Sequence, residues 1–320
     1  MVPKITLAIL FSVALALNML YQTKIVPTVK TNSNDSVIVD NQKDCTAQLD
    51  ALDAFFDARR LARHTTSYRP PTNVEAMDIF EPEAVCLSEE RFGGGKDGKV
   101  LPRHDAFGDG PKFACGIDVL AAKSKASSSG TNKQDGCLVY NVGSKNEIDF
   151  EVAVQTFVGC EIHTFDPTLS VPYIGGNYSN FHPWGIGIDG QTSKYKHWEW
   201  TSKGIETIYE ELGHKKEQRK IDILKIDCEG CEWLAMPPVF EAMARGELKI
   251  DQIQIEVHIY SKDPPAFEKV RSFFQGVDKA GLRVTHKERN HWGCAGWRCL
   301  EYVLVHEDFL REANGAAMGC

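Results

Sequence analysis

Asp227 and Glu229 stand two positions apart at the end of an apolar run, in the stretch IDILKIDCEGCEW from Ile221 to Trp233. Ile221, Ile223, Leu224 and Ile226 are interrupted only by Asp222 and Lys225, the pattern of a strand buried on both faces. In open α/β sheets, ligands bind beyond the carboxyl ends of such strands, so carboxylates there are placed for chemistry. His258 lies near the end of a second such run, DQIQIEVHIY (251–260). Groups at the ends of adjacent strands can converge, and two chemistries are open to these three. His258 can serve as a general base oriented by a carboxylate, or Asp227 and Glu229 can hold a divalent metal. The plainer alternatives are a turn cap for Glu229 and a hydrogen-bonded strand-end histidine for His258.

A cofactor site in such a sheet needs two further features. The turn after the first strand must let backbone approach the ligand, and the second strand should end in a carboxylate that can accept ribose hydroxyls. Gly143, closing CLVYNVG, and Asp166, closing CEIHTFD, meet these needs at close to the ~20-residue spacing of dinucleotide-binding sheets. VYNVGSKN carries one glycine where a pyrophosphate calls for GxGxxG. The loop therefore suits an adenosine cofactor without phosphates, and S-adenosyl-L-methionine is the candidate.

The elements that must position these residues alternate between strand and helix. CLVYNVG (137–143) leads into NEIDFEVAVQTFV (146–158), which has helical spacing and a capping-box pattern in Ser144 and Glu147. CEIHTFDPT (160–168) is the next strand, and a shorter one is expected over 181–188. Helices are expected over 205–212 and 266–281, and strands over 221–226, 251–260, 282–288 and 301–307. Alternation of this kind implies an α/β fold, a mainly parallel sheet with helices on both faces. Before the sheet, residues 91–116 read as a loop that a Cys86–Cys115 disulfide could tie, and the Ser/Lys/Gly-rich stretch 123–136 reads as a linker. Residues 45–61 carry Leu49, Leu52, Phe55, Phe56 and Leu61 at helical steps, ended by Pro70-Pro71.

The ordered set VYNVGS, EIHTFDPT, DILKIDCEGCEW and QIEVH resembles the FkbM-like branch of the class I methyltransferases. KIDCEG matches that family's K-[IV]-D-x-E-G block, and Arg91 to Cys115 is similar to a loop found in its membrane-anchored animal group. The resemblance covers about residues 86–310. It implies a Rossmann-like sheet of seven strands, the last antiparallel, with S-adenosylmethionine over the carboxyl ends of the first strands. It further implies that Asn141, Gly143 and Ser144 border the methionine part, that Asp166 holds the ribose, and that residues near Gly185 and Asp189 approach the adenine. Where class I enzymes commonly carry an acidic residue at the end of the first strand, this chain has Asn141. The activity implied is methyl transfer in EC class 2.1.1; the acceptor is not named by any motif, and the secretory location described next suggests a hydroxyl of a glycan, a secreted protein or a small molecule.

Lys4 precedes an uncharged run, Ile5 to Tyr21, which at 1.5 Å per residue reaches about 25 Å. That length favours a signal anchor over a cleaved signal peptide, whose apolar part is about 7–15 residues. Domain organisation follows: an anchor or signal over 1–21, stem and helical segment over 22–85, the catalytic domain over 86–310 with its sheet core at 137–307, and a tail over 311–320. An ER or Golgi membrane location with a lumenal catalytic domain is expected, or secretion if the run is cleaved. The acceptor triplets at Asn34 and Asn177 and the ten cysteines agree with an oxidising compartment. Cys228 and Cys231 form a CxxC outside a thioredoxin-like strand order, and Cys294 with Cys299 makes a poor second pair for zinc, so structural thiols or disulfides are expected. A net charge of -8 argues against a nucleic-acid partner. A lumenal glycosyltransferase shares the anchor-and-stem layout, but those with Rossmann-like sheets commonly need DxD, and only DxE pairs occur, Asp149/Glu151 and Asp227/Glu229. A catalytically inactive binding module is the third alternative, favoured by Asn141.

Overall fold

Buried parallel strands need no alternation of apolar and polar residues, because helices cover both faces. The main sheet of the computed structural model has seven strands, β1 (Leu138–Val142), β2 (Glu161–Phe165), β3 (Asn180–His182), β4 (Ile221–Ile226), β5 (Ile250–His258), β6 (Leu282–Arg289) and β7 (Cys299–His306), of which β1, β4 and β5 are buried along their whole length. Their order in the sheet is β6-β7-β5-β4-β1-β2-β3. β3, β2, β1, β4 and β5 pair in parallel, while β7 runs antiparallel to both β5 and β6. The order reverses between β1 and β4, which makes the carboxyl ends of those two strands the switch point where ligands bind.

The structure describes residues 45–57, 60–61, 77, 79–96, 99–100, 110–128, 136–259, 267–292, 294 and 298–320. The run 5–21, the stem up to residue 44 and Asn34 lie outside them. Among the described residues no helix is long and apolar enough to cross a membrane.

Helices α1 (Ile117–Ser128), α2 (Asp149–Phe157), α3 (Ile205–Glu211), α4 (Glu232–Ala244), α5 (Phe267–Lys279) and α6 (Glu307–Met318) flank the sheet. One apolar cluster joins Tyr140, Phe165, Leu224 and Ile255 to Ile208, Phe240 and Phe274. The other joins Val139, Ile162, Ile223 and Val303 to Leu120, Val154 and Phe309 on the opposite face. Asp222, a charge inside an apolar strand, is fully buried because its two oxygens serve different elements. Oδ1 pairs with Lys123 Nζ of α1 at 2.5 Å and Oδ2 accepts the Leu138 N–H of β1 at 2.8 Å.

Several sequence expectations give way here. The expected linker at 123–136 begins inside α1, since Ala121, Ala122 and Ala126 favour helix and outweigh the serines. The second helix starts at Asp149 rather than at 146, because Lys145 and Asn146 take φ of 51° and 66°, outside the helical region. The capping box does not form; Ser144 Oγ accepts the Asn146 N–H instead. The strand expected over 181–188 splits: Asn180–His182 joins the main sheet, while Gly185–Ile186 joins a small sheet with Trp198–Lys203 and Thr192–Tyr195. The terminal segment, read as a tail, is largely α6, which a Cys45–Cys320 disulfide ties to the helical residues 45–57. Arg311 adds ion pairs to Asp50 and Asp53. Within the loop read over 91–116, Glu90–Phe92 and Lys112–Ala114 form an antiparallel pair, and the Cys86–Cys115 disulfide is present as expected.

Candidate active site

Gly143 closes β1 with φ 80°, and a Cβ at this position would overlap the carbonyl oxygen of Asp227. Only glycine permits both the left-handed backbone and this approach. The turn expected to face the donor and the carboxylate turn after β4 are therefore in direct contact. Asp166, at the end of β2, is buried and accepts the N–H groups of Lys145 and Thr168 at 2.8 Å each and the Thr168 hydroxyl at 2.6 Å. A carboxylate has about four acceptor positions, so roughly one is left for a ribose hydroxyl.

Asn141 is buried at the end of β1, its Nδ2 donating to Glu151 Oε1 of α2 at 2.8 Å. Glu151 Oε1 also accepts Thr164 Oγ1 and Tyr173 OH. Asn141 Oδ1 and Glu151 Oε2 are buried without a hydrogen-bond partner. An unpaired buried acceptor costs about 1–3 kcal/mol, and a ligand ammonium is the type of group that would relieve it. Ser144 is buried in the same turn. Asn141, Gly143, Ser144 and Asp166 are thus gathered at one end of β1 and β2. Gly185 and Asp189 are engaged elsewhere. A side chain at Gly185 would overlap the Trp200 indole, and Asp189 accepts the Gly204 N–H at 2.7 Å and Thr207 Oγ1 at 2.6 Å at the start of α3.

The three residues read as catalytic do converge. His258 Nε2 lies 3.9 Å from Asp227 Oδ1 and 3.8 Å from Glu229 Oε2. The carboxylate that orients His258 is a fourth residue, Glu232, which is fully buried at the start of α4. Its Oε1 accepts the His258 backbone N–H at 2.5 Å and faces Nδ1 at 3.2 Å, while Oε2 accepts the Gly230 N–H at 3.0 Å. Burial pushes the His258 imidazole down, but the hydrogen bond to Glu232 and the charges of Glu232, Asp227 and Glu256 outweigh it and raise its pKa to about 9. These charges favour the protonated imidazolium, a form that has no free nitrogen with which to act as a base.

Lys112, like Glu232, carries no signal of its role in the local sequence. Its ammonium is buried among three carboxylates: Glu301 at 2.7 Å, Glu256 at 3.2 Å and Asp227 at 3.6 Å. Burial pulls Lys112 down, and the three charges more than reverse this and hold it above the ordinary lysine range. Lys112 reaches the site because Gln252 of β5 pairs with the backbone of Cys115, accepting its N–H at 3.0 Å and donating to its C=O at 2.9 Å. The Cys86–Cys115 bond anchors the same segment. Burial raises Glu256, aided by the Asp227 charge and opposed by Lys112, to about 7. Burial likewise raises Glu301. Burial acts upward on Asp227 too, but Lys112, Lys225 and His258 bring it below its ordinary value. The side chains of Lys112, His258 and Glu256 are 2%, 2% and 4% exposed, against 24% for Asp227. Asp227 is the acceptor among them that an incoming hydroxyl can reach. The cation these carboxylates face is an ammonium, so a dication brought between Asp227 and Glu256 would meet Lys112 already there.

Strand order, the glycine turn and a carboxylate after β4 together define a Rossmann-like methyltransferase fold. The chain belongs to the family described as Methyltransferase domain, whose model matches residues 42–306. It is similar to human probable methyltransferase-like protein 24, 31% identical over 150 residues, or 43% of this chain and 35% of the human protein. The rat protein of the same name is 29% identical over 143 residues, 41% of this chain and 35% of its own. The matched stretch thus spans about a third of these relatives. A solved structure, the 1,6-didemethyltoxoflavin-N1-methyltransferase of Burkholderia thailandensis with bound 1,6-didemethyltoxoflavin and S-adenosylhomocysteine, is similar at a TM-score of 0.31. Its identity is 11%, over 60% of this chain and 78% of that one.

Proposed function

We propose that this chain transfers a methyl group from S-adenosylmethionine to a hydroxyl of a glycan, a secreted protein or a small molecule, in an oxidising compartment of the secretory pathway. The observation that carries this reading is the contact between the Gly143 turn and the Asp227 backbone, which sets the donor-side loop against the partly exposed carboxylate. The donor, when bound, supplies an electrophilic methyl on a sulfonium. Asn141 Oδ1 and the remaining acceptor position of Asp166 are the protein groups available to its ammonium and its ribose. Both are acceptors facing donor groups, so the residues present fit the cofactor.

The acceptor hydroxyl must lose its proton as the new bond forms, and Asp227 is placed to take it. Asp227 and Glu256 interact strongly enough to titrate as a pair, so a proton arriving at Asp227 is shared with the buried Glu256 behind it. Lys112 and the His258 imidazolium hold the pair in place and limit its charge. Glu229, 52% exposed, lies at the rim and can contact the acceptor. Pairing of all ten cysteines, in five disulfides, supports the oxidising location. Asn177 is exposed, as a glycosylation acceptor must be.

Calorimetric titration of S-adenosylmethionine into the purified chain, then label transfer from the methyl-labelled donor to glycan, protein and small-molecule pools, tests the proposal. The chain and its Asp227→Asn variant should bind donor equally, with transfer reduced at least 100-fold in the variant. Absence of donor binding, or binding of a nucleotide-sugar instead, would overturn the reading, and unchanged turnover in the variant would remove Asp227 from it.

A further inference from the structure

A second polar cluster lies on the α3 face of the sheet, at the opposite end of β2 from Asp166. Glu161 opens β2 and Asp166 follows its end, about 16 Å away at ~3.3 Å per residue. Glu161 and His163 project to the same face, and His214, from the turn after α3, meets them. His163 Nε2 is 3.0 Å from Glu161 Oε1, and His214 Nε2 is 3.8 Å from the same oxygen. All three ligand atoms lie within 4.8 Å of one another. Neither histidine takes part in the mechanism above.

We propose that Glu161, His163 and His214 form a site for one zinc-class divalent ion, with water completing four-coordination. Metal–ligand bonds of about 2.0–2.2 Å place tetrahedral ligands about 3.4 Å apart, and the observed 3.0 and 3.8 Å bracket that spacing. The outer ring nitrogens supply a second, independent observation. His163 Nδ1 is 2.9 Å from His182 Nε2, and His214 Nδ1 is 2.7 Å from the Tyr140 hydroxyl. Metal-bound histidines characteristically use the far nitrogen in this way, fixing tautomer and ring orientation so that the other nitrogen presents its lone pair. Glu161 divides its two oxygens: Oε2 takes Arg219 Nη1 at 2.5 Å, and Oε1 is left to the histidines. Protons alone could link His182, His163 and Glu161, but they leave His214 Nε2 too far from Oε1 for a good hydrogen bond. An ion satisfies all three. The side chains of His163 and His214 are 8% and 4% exposed and that of Glu161 42%, so the site opens to solvent on the glutamate side, where a water ligand would enter.

The test is zinc loading of the tag-free full chain, desalting and elemental analysis. Cobalt substitution then reports geometry, and melting is followed with and without zinc. The expected result is one equivalent of zinc, the visible d–d absorption of four-coordinate cobalt, and a higher melting temperature with zinc. His214→Gln and Glu161→Gln should each lower affinity at least 100-fold. Tyr140→Phe, which keeps the packed ring and loses only the hydroxyl, should lower it by about tenfold, in the range typical of lost supporting partners. Should His214→Gln fail to fold, the half-exposed Glu161→Gln carries the test. No bound zinc in the parent chain, octahedral cobalt, or undiminished binding in the variants would each overturn the site.

Discussion

Replacing Lys112 with methionine removes one ammonium and leaves three carboxylates around an apolar tip of similar length. Breaking a buried ion pair from one side typically costs about 3–5 kcal/mol, because the remaining charge stays out of water. The lower end applies here. Asp227 keeps 24% of its side chain in solvent, and Glu256, already raised to about 7, can take up a proton when its cation goes. The deficit at pH 8 should be about 3 kcal/mol, which for a chain of this size lowers the melting temperature by roughly 6–12 °C. Its pH dependence follows from the sign of the shifts. Glu256 and Glu301 have folded pKa values above their unfolded ones, so each destabilises the fold increasingly as pH rises toward its folded value, and more so without Lys112. The gap between parent and variant should therefore shrink to about 1 kcal/mol at pH 5, where Glu256 is protonated in either protein. Urea denaturation at pH 5 and pH 8, with slopes compared to confirm two-state behaviour, measures it. A gap below about 1 kcal/mol at pH 8, or one equal at both pH values, would refute the account of Lys112 as the cation that stabilises this cluster.

Three further outcomes are expected. The pH profile of methyl transfer should be bell-shaped in kcat/KM, rising near 7 as the Asp227–Glu256 pair loses its shared proton and falling near 9 as His258 loses its charge; a flat profile from 6 to 10 would contradict this. Gly143→Ala should destabilise by about 2–4 kcal/mol, seen in thermal melts, because its backbone is left-handed and its Cβ would strike the Asp227 carbonyl. The Cys228–Cys231 disulfide brackets Glu229 and Gly230, which take φ of 57° and 114°. Its Ser/Ser replacement should slow transfer by about tenfold with unchanged donor binding by calorimetry, since the bond restrains the Glu229 rim and not the donor turn.

The sheet was legible because fully buried parallel strands print nearly continuous apolar runs, as β1 and β4 do, and because strand and helix patterns alternate along the chain. The switch point followed from strand order, and with it the grouping of Gly143, Asp166, Asp227 and His258. Lys112 was not legible. It sits in GDGPKFAC with no periodicity around it, and its position depends on contacts with Gln252 and Glu301, far along the chain. A signal did exist in β5, where Gln252, Gln254, Glu256 and His258 alternate with Ile253, Ile255 and Val257. A central strand with one wholly polar face requires a polar partner to cover it. Glu232 was hidden for another reason: at a helix start an acidic residue is the ordinary choice, and nothing local separates an orienting carboxylate from a dipole-compensating one. The C-terminal half of α1 was hidden by its serine-rich composition, and the start of α2 was displaced by two positive-φ residues that no local pattern announces.

That polar face of β5 also explains why the segment before the sheet belongs to the catalytic unit. Glu256 and His258 are buried, so each needs partners supplied from outside their own strand. His258 takes its partner from α4, through Glu232, and Glu256 takes Lys112 from the Lys112–Ala114 strand and Asn290 Nδ2 from beyond β6. The carboxyl edge of β5 thereby gains charges of both signs held by separate elements, each fixed by its own restraint. Cys86–Cys115 and Gln252 fix Lys112, the Gly230 N–H fixes Glu232, and Asn290 is adjacent to the end of β6. Asp227 alone remains partly exposed at the centre of this arrangement. In the proposed mechanism this partly exposed carboxylate, stabilised as an anion by fixed cations, is a weak base, and the buried Glu256 beside it, raised to about 7, supplies the missing proton affinity. The two properties come from different residues, which is why neither Asp227 nor Glu256 would serve without the other.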